Sequence, residues 1–296
     1  MKCHFYHDIK EFYDLTHKIL LAQEAQNLIL LGNIYIGIDG SDIRGWRDPV
    51  NWVMITVSEG EEILLIALMT PPHNIVLHSC GTESEVEAIR CLIEGLQERQ
   101  IAVPGAMSEK SLVDLFAGEY AAAQGLTAKT HQEQRIYELT RVDSGIPLLA
   151  APLQLRAASP SDMAFLPWWD NGFQAAIPGS EISLSESAEA ARYMVQNRGV
   201  YILEDEGIPV SMARLHREMR TACGIGYVYT PPFLRGRGYA TACVAAVSRI
   251  ALERGFARCV LYTDLANPTS NSIYQKIGYR PICDSRMIKF EPRTSG

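Results

Sequence analysis

"TPPFLRGRGYATACVAAV", residues 230–247, sets the reading of the whole chain. Pro231 and Pro232 end whatever extended run precedes them, because neither offers a backbone N–H to a ladder. Arg235-Gly236-Arg237-Gly238 then opens onto a segment in which Ala240, Cys243, Val244, Val247, Ile250 and Ala251 recur at helical spacing. A helix start presents amides without internal partners and the positive end of the helix dipole, so an anion satisfies both. Glycines let the backbone approach that anion, and arginines add charge-assisted contacts to its oxygens. The stretch therefore predicts a strand, a pyrophosphate seat and a helix, against the plainer alternative of a tight turn with solvated arginines. It is neither a Walker loop nor a strand-first G-x-G-x-x-G.

Working outward, "LQLRAASPSDMAFL" (residues 153–166) predicts a short strand, a turn at Ser159-Pro160 and a helix capped by Ser161 or Asp162. "LSESAEAARYMVQN" (184–197) predicts a second helix. Two strands flank the turn signal Glu204-Asp205-Glu206-Gly207, and "ACGIGYVYT" (222–230) is a third, halted by the prolines. After the seat helix, which Gly255 ends, come a buried strand "CVLYT" (259–263), a helix over Pro268–Lys276 and a return to strand at Gly278-Tyr279. This is an α/β (α+β) plan with a mixed, mostly antiparallel sheet flanked by helices.

The N-terminal half shows the same closing order without the glycines. "EEILLIALMT" (61–70) and "NIVLHSC" (74–80) read as strands, and Val86, Ile89, Ile93 and Leu96 share a helical face. "IAVPGA" (101–106) is a short extended run, residues 108–125 form a helix ending at Gly125, and "RIYELTRV" (135–142) is a last strand. A tandem arrangement follows, with a degenerate domain over 1–150, a second domain over 151–296 and "VDSGIPLLAAP" (142–152) as linker. Where the first half would place its own seat it offers Glu83, Glu85 and Glu87, which suit a helix start and repel a pyrophosphate. That half is expected to wall an acceptor pocket or to make a subunit contact, and a homodimer is compatible with it.

"RGRGYA" (235–240), the downstream "NPTSNSIYQKIGY" (267–279) and the order of elements around them resemble the GCN5-related N-acetyltransferase (GNAT) family. The resemblance covers about residues 153–290 and is strongest from Tyr227 to Tyr279. It implies an acyl-CoA N-acyltransferase-like fold and acetyl-CoA as cosubstrate. The family's Arg/Gln-x-x-Gly-x-Gly/Ala loop falls on Arg235, Gly238 and Ala240, which makes Gly236, Arg237, Tyr239 and Thr241 part of the same seat. It further implies that the preceding strand is splayed. Val228, Tyr229 and Thr230 would then lie beside the pantetheine arm, where their backbone could polarise the thioester carbonyl. The family's asparagine matches Asn267, with Ser270 and Asn271 following. These are expected either to contact the cofactor or simply to cap the helix. Tyr274 takes the place of the family's general acid. A phenol of pKa about 10 is a competent donor to a leaving thiolate of about 8.5, while the alternative is a core tyrosine beside Ile273 and Ile277. The general base stays open among the turn carboxylates Glu204, Asp205 and Glu206, His216, Asp264 and a water chain.

Composition narrows the remaining classes. A net charge of −7 argues against a nucleic-acid partner. The seven cysteines form no C-x-x-C pair, which with the lack of a signal-like opening leads to a cytoplasmic expectation. The longest apolar stretch, "NLILLGNIYIGI", has about half the length a membrane span requires. "CHFYHD" gathers Cys3, His4, His7 and Asp8 without a second cluster to complete a metal site, so no metal is expected. Trp168 and Trp169 read as core or lid, and His73, His78 and His131 stand alone. The resulting expectation is direct transfer of acetyl to the amine of a small-molecule or peptide acceptor, without Cys223 or Cys243 as nucleophile. The alternatives are a non-catalytic acyl-CoA sensor or assembly module, or transfer of a longer acyl group or to an O or S acceptor.

Overall fold

Alternation in "KCHFY" makes the opening residues strand β1 (Lys2–Tyr6) and sends Cys3 and His4 to opposite faces. Asp8 then caps helix α1 (Ile9–Ala22), accepting from the Lys10 amide at 2.7 Å. The cysteine and the acid of "CHFYHD" thus serve packing and capping. Among the described residues no three His, Cys, Asp or Glu side chains gather as a metal-ligand set. The computed structural model describes residues 1–40, 47–81, 83–177, 180–197 and 199–293. Contacts divide the chain into unit 1 (Met1–Ile136, Thr263–Ala266 and Ile282–Gly296) and unit 2 (Tyr137–Tyr262 and Asn267–Pro281).

Unit 1 continues with α2 (Leu28–Asp39), β2 (Val53–Glu59), β3 (Glu62–Met69), β4 (Ile75–Ser79), α3 (Glu85–Glu98), β5 (Gly105–Glu109), α4 (Lys110–Gln124) and most of β6 (Leu126–Leu139). Its sheet runs β1-β2-β3-β4-β5 and is extended by β12 (Arg280–Pro292), antiparallel to β5 with Met287 opposite Met107. β4 and β5 are the parallel pair. Ile89, Leu92, Phe116 and Tyr120 from the two later helices pack on Leu65, Ala106 and Ile288 of the sheet. Among the described residues no helix is long and apolar enough to cross a membrane.

Unit 2 repeats that order. β7 (Leu153–Ala157) is followed by α5 (Leu166–Gln174) and α6 (Leu184–Gln196). Then come β8 (Val200–Asp205), β9 (Ile208–His216), β10 (Ala222–Tyr229), α7 (Tyr239–Glu253), β11 (Arg258–Asp264) and α8 (Pro268–Ile277). Both halves therefore read strand, two helices, three strands, helix, strand, helix, then a long closing strand. The mixed sheet flanked by helices, and the expected repeat, are both present. β10 and β11 are parallel and the other pairs of β7–β10 antiparallel. Glu206 and Gly207, with φ of 51° and 78°, close the β8–β9 hairpin, as a type I′ turn requires. Val244, Val247 and Ala251 of α7 and Ile277 of α8 pack on Leu203, Ala213, Ile225 and Leu261 of the sheet.

Two expectations differ from what the fold shows. The helix after β7 begins not at Ser161 or Asp162 but as a 3-10 turn over Pro160–Ala164 capped by Ser159, whose amide donates to Asp162 Oδ2 at 2.7 Å. Pro160 suits the first helical position, so the residue before it becomes the cap and Asp162 closes the capping box. The units also depart from a division at residue 150. Residues 142–152 are packed rather than free: Val142 and Ile146 are buried, the Asp143 amide bonds the Ile277 carbonyl at 2.8 Å, and Arg249 bonds the Pro147 carbonyl at 3.1 Å. The end of the chain, meanwhile, belongs to unit 1 through the β5–β12 pairing.

Candidate active site

The seat lies where α7 begins. Gly236 and Gly238 have φ of 77° and 82°, the left-handed region, and a Cβ at either would meet nothing within 4 Å. Gly238 is the N-cap of α7 and offers no side chain, so the first-turn amides of Tyr239, Ala240 and Thr241 have no side-chain cap. Arg235 and Arg237 are exposed beside them. Arg235 folds toward β10, its Nε donating to the Thr230 carbonyl at 3.0 Å and its guanidinium carbon 5.9 Å from the Tyr229 ring centre. The Tyr239 hydroxyl donates to Asp205 Oδ2 at 2.5 Å, and Arg237 faces the same phenol. The sequence therefore brings together an exposed glycine loop, an open helix start and two cations.

β10 leads into this seat and is distorted there. Its register with β9 shifts between Gly226 and Tyr229, around Tyr227 at φ 50°. Its pairing with β11 covers only Ala222–Gly224 against Arg258–Val260, although both strands continue beyond. Val228 and Tyr229 therefore lie past the last paired position, which is the splay the resemblance implied. The Ser211 hydroxyl donates to the Tyr229 carbonyl at 3.1 Å and pairs with Thr230 Oγ1 at 2.9 Å, anchoring the strand end from beneath.

Tyr274 is buried on α8 among the residues around α7, and only its backbone turn separates it from Ser270, whose hydroxyl bonds the phenol. Burial pushes its pKa up to about 12. The phenol is thus protonated throughout the neutral range, and Ser270 links it to the half-buried edge of the helix. Asn267 Oδ1 caps α8 by accepting from the Ser270 amide at 3.0 Å. Asn271 Nδ2 donates to the Asn267 carbonyl at 2.8 Å, and its Oδ1 accepts from Tyr137 at 3.1 Å. Capping accounts for the Asn267 side chain, whereas Asn271 ties the first turn of α8 to Tyr137.

The base candidates separate on the same grounds. Glu204 accepts from Arg156 Nε at 2.8 Å, Asp205 is engaged with Tyr239, and Glu206 is in the exposed turn. Asp264 is assigned to unit 1, where it accepts from Gln132 at 3.2 Å and from the Ala266 amide at 2.7 Å. His216 lies against β10, its ring within 2.8 Å of where a Cβ on Gly224 or Gly226 would be. Burial, then Arg217 and Arg214, hold its pKa well below the usual value, so it is neutral. Burial likewise holds Cys243 up at about 12, and the Cys259 contact and burial raise Cys223, so neither is a ready thiolate.

Sequence reading passed over Asp170, Arg214, Arg217 and Tyr227. They come from α5, β9, the position just after β9, and β10, and carry no spacing signal; the glycine pair Gly224 and Gly226, against which His216 packs, is the one feature of the sequence that bears on this region.

An open, glycine-lined helix start at the end of a splayed strand, in this order of elements, is the arrangement of an acyl-CoA N-acyltransferase-like fold. More particularly, residues 163–279 match the family described as acetyltransferase (GNAT), and that part of the chain is a GNAT domain. None of the curated proteins matches the chain. Among solved structures, a Drosophila protein from a structural genomics effort is 15% identical with a TM-score of 0.69, covering 99% of both chains. A GNAT-family acetyltransferase from Colwellia psychrerythraea is 11% identical with a TM-score of 0.57, over 98% of this chain and 99% of its own. A tandem GNAT protein of the clavulanic acid biosynthesis pathway is 12% identical with a TM-score of 0.50, over 93% and 97%. These likenesses extend the GNAT-like fold, in tandem, along the whole chain.

Proposed function

We propose that unit 2 transfers acetyl from acetyl-CoA directly to a primary amine. The observation that carries this reading is the uncapped, glycine-lined start of α7 at the end of a strand whose pairing with β11 stops at Gly224. The α7 amides, with Arg235 and Arg237, hold the pyrophosphate. The β10 backbone at Val228–Thr230 lies along the pantetheine arm and directs a donor at the thioester oxygen as charge builds there. Holding thioester and amine side by side supplies most of the rate.

In the transfer, the nitrogen of the neutral amine forms the new C–N bond as the C–S bond breaks; the sulfur leaves with the electron pair, and the surplus proton on nitrogen passes to solvent water. Tyr274 donates a hydrogen bond to that sulfur. With the phenol at about 12 and an exposed thiol at about 8.5, complete proton transfer is uphill by about 5 kcal/mol. The same burial that raises the phenol raises the thiol, and the gap closes as the sulfur sits beside it. Asn267, Ser270 and Asn271 set the position of α8 that presents Tyr274.

The test couples calorimetric binding of acetyl-CoA to a thiol readout with a panel of amines. Binding with amine-dependent release of CoA supports the proposal. Binding without release from any amine makes the protein an acyl-CoA sensor, and tighter binding of longer acyl-CoAs shifts the donor.

A further inference from the structure

Next to the bulge in β10, the end of β9 carries Arg214 and His216, and Arg217 follows directly. Arg214 lies opposite Gly226, and its guanidinium carbon is 5.6 Å from the Tyr193 ring centre and 5.7 Å from that of Tyr227. Arg217 Nη1 reaches His216 Nδ1 at 3.3 Å, which makes that nitrogen the acceptor and agrees with a neutral ring. Phe173 of α5 stacks on Tyr227 at 4.7 Å. Arg214, His216, Arg217, Tyr227, Phe173 and Tyr193 all keep solvent-accessible surface, although burial dominates the titration of His216, Arg217 and Tyr227. Groups enclosed by protein yet still reached by solvent line a recess.

Two further features mark it as built. Among the described residues, the non-glycine positions with positive φ are Gln100, Glu206, Arg217 and Tyr227. Glu206 serves a hairpin turn, whereas Arg217 and Tyr227 belong to this cluster, Arg217 against the His216 ring and Tyr227 between Phe173 and Arg214. Strain of about 1–3 kcal/mol at each persists only where the surroundings impose it, and such residues cluster at working sites. Close to Arg214 and Tyr227 is Asp170 of α5, fully buried, with neither carboxylate oxygen in hydrogen-bond geometry with a partner. Ser187 and Arg214 lie near enough to favour its charge, but burial wins and raises its pKa. With no accessible surface, Asp170 can orient Arg214 and cannot touch a ligand. Burial lowers the pKa of Arg217 and Arg214 adds to that, while Tyr262 and Tyr227 oppose it, so the neighbouring guanidinium adds to the cost of the Arg217 charge. An anion held by both guanidiniums lowers that cost.

We propose that this recess is the acceptor's anion site, in which Arg214 and Arg217 take a carboxylate or phosphate carried by the same molecule whose amine is acylated. The assignment of the ligand as acceptor rests on the transferase reading; the anion site itself does not. The recess begins at Gly226, two to three residues from Val228 and Tyr229, which at about 3.3 Å per residue puts the acid roughly 7–10 Å along the strand from the reacting amine. Tyr193, Tyr227 and Phe173 enclose the chain between them.

The full-length protein is titrated calorimetrically with inorganic phosphate and with succinate, as wild type and as Arg214→Gln/Arg217→Gln. Phosphate also reaches the α7 seat, which both proteins share, so the difference reports the recess. At least tenfold weaker succinate binding, and loss of one phosphate site, are expected in the variant; equal titrations overturn the proposal. Should the double variant fail to fold by circular dichroism, Arg217→Lys replaces it. Several-fold weaker succinate binding is then expected from the lost planar fork, and unchanged binding overturns the proposal. Paired acceptors, lysine against lysinamide and phosphoethanolamine against ethanolamine, separate carboxylate from phosphate through CoA release. At least tenfold higher kcat/KM for the acidic member of one pair is expected, and loss of that preference in the variant. Anion binding without CoA release from any amine leaves the site standing and removes the transferase reading. Release that is equal for acidic and neutral members, with equal titrations, does the reverse.

Discussion

Replacing Gly238 separates backbone strain from charge at the seat. Its φ of 82° and ψ of −1° lie in the left-handed region, and a Cβ there meets nothing within 4 Å. Alanine therefore has room and suffers only the conformational cost, about 1–2 kcal/mol, while asparagine suffers less. That cost falls on the folded state whether or not acetyl-CoA is bound. Gly238→Ala should thus lower the melting temperature by a few degrees and change the Kd for acetyl-CoA by no more than about threefold. Gly238→Glu adds a carboxylate beside the uncapped amides. A unit charge about 5 Å from each phosphate charge costs about 1–3 kcal/mol between the dielectric of water and that of a protein surface, and a pyrophosphate carries two. Binding should weaken by about 10- to 100-fold or more. The assay is calorimetry of acetyl-CoA with wild type, Ala, Asn and Glu variants at about 50 and 300 mM salt. Screening should shrink the glutamate effect at the higher salt and leave the alanine effect unchanged. If glutamate weakens binding no more than alanine does, or its effect ignores salt, the anion is not held at this helix start.

Other perturbations test other parts. Tyr274→Phe should leave the Kd for acetyl-CoA unchanged and lower kcat about 100-fold or more; with the wild-type phenol near 12, the pH–kcat profile of the wild type should show no descending limb from this group below about pH 11, measured by thiol release. Asp162 is held by both Arg156 Nη atoms, at 2.7 and 2.8 Å. Burial raises its pKa, but Arg156 and Ser159 outweigh that and leave it lowered. A lowered folded pKa means the stabilisation is present above the unfolded value of about 3.9 and is lost as pH falls through the folded one. Asp162→Asn should destabilise unit 2 by about 3 kcal/mol, the lower end for a broken buried pair because Arg156 is 35% exposed, and should flatten the acid limb of a melting series below about pH 4. Gly226→Ala sets a methyl 2.8 Å from His216 Nε2; the ring must shift at about 1–3 kcal/mol, so the melting temperature should fall and acceptor KM rise while acetyl-CoA binding holds.

The seat was legible because its geometry depends on residue types that only glycine fulfils, at Gly236 and Gly238, and on a helix whose apolar stripe is periodic. α2 was not legible: an all-round apolar helix such as "LILLGNIYIGID" has no period to find, and its length matched nothing but a failed membrane span. The unit boundaries escaped for a different reason. β12 pairs with β5, with Ser285 opposite Glu109, and no local pattern announces a partner so distant along the chain. Asn267 could be read as ligand or cap, because the same "NPTSN" satisfies both and only the 3.0 Å bond to the Ser270 amide shows where its oxygen is spent.

The recess was the hardest part to read, and the reason is physical. Local rules place glycine where φ is positive, turn residues in turns, and charges on solvated faces. Arg217 and Tyr227 break the first rule at φ of 48° and 50°, and Asp170 breaks the last with a fully buried carboxylate. Each alone would be a defect that packing elsewhere has to offset. That three such defects converge on the strand leading into the seat is hard to reconcile with a purely structural role, because a stable fold gains from removing any one of them. A sequence that keeps all three is spending stability where rules of folding and needs of binding diverge. Relieving one of them is the direct check: Asp170→Asn, which removes the buried charge while keeping the shape, should raise the melting temperature and lower acceptor kcat/KM, and a variant that is more stable and equally active would leave the recess with no function to explain.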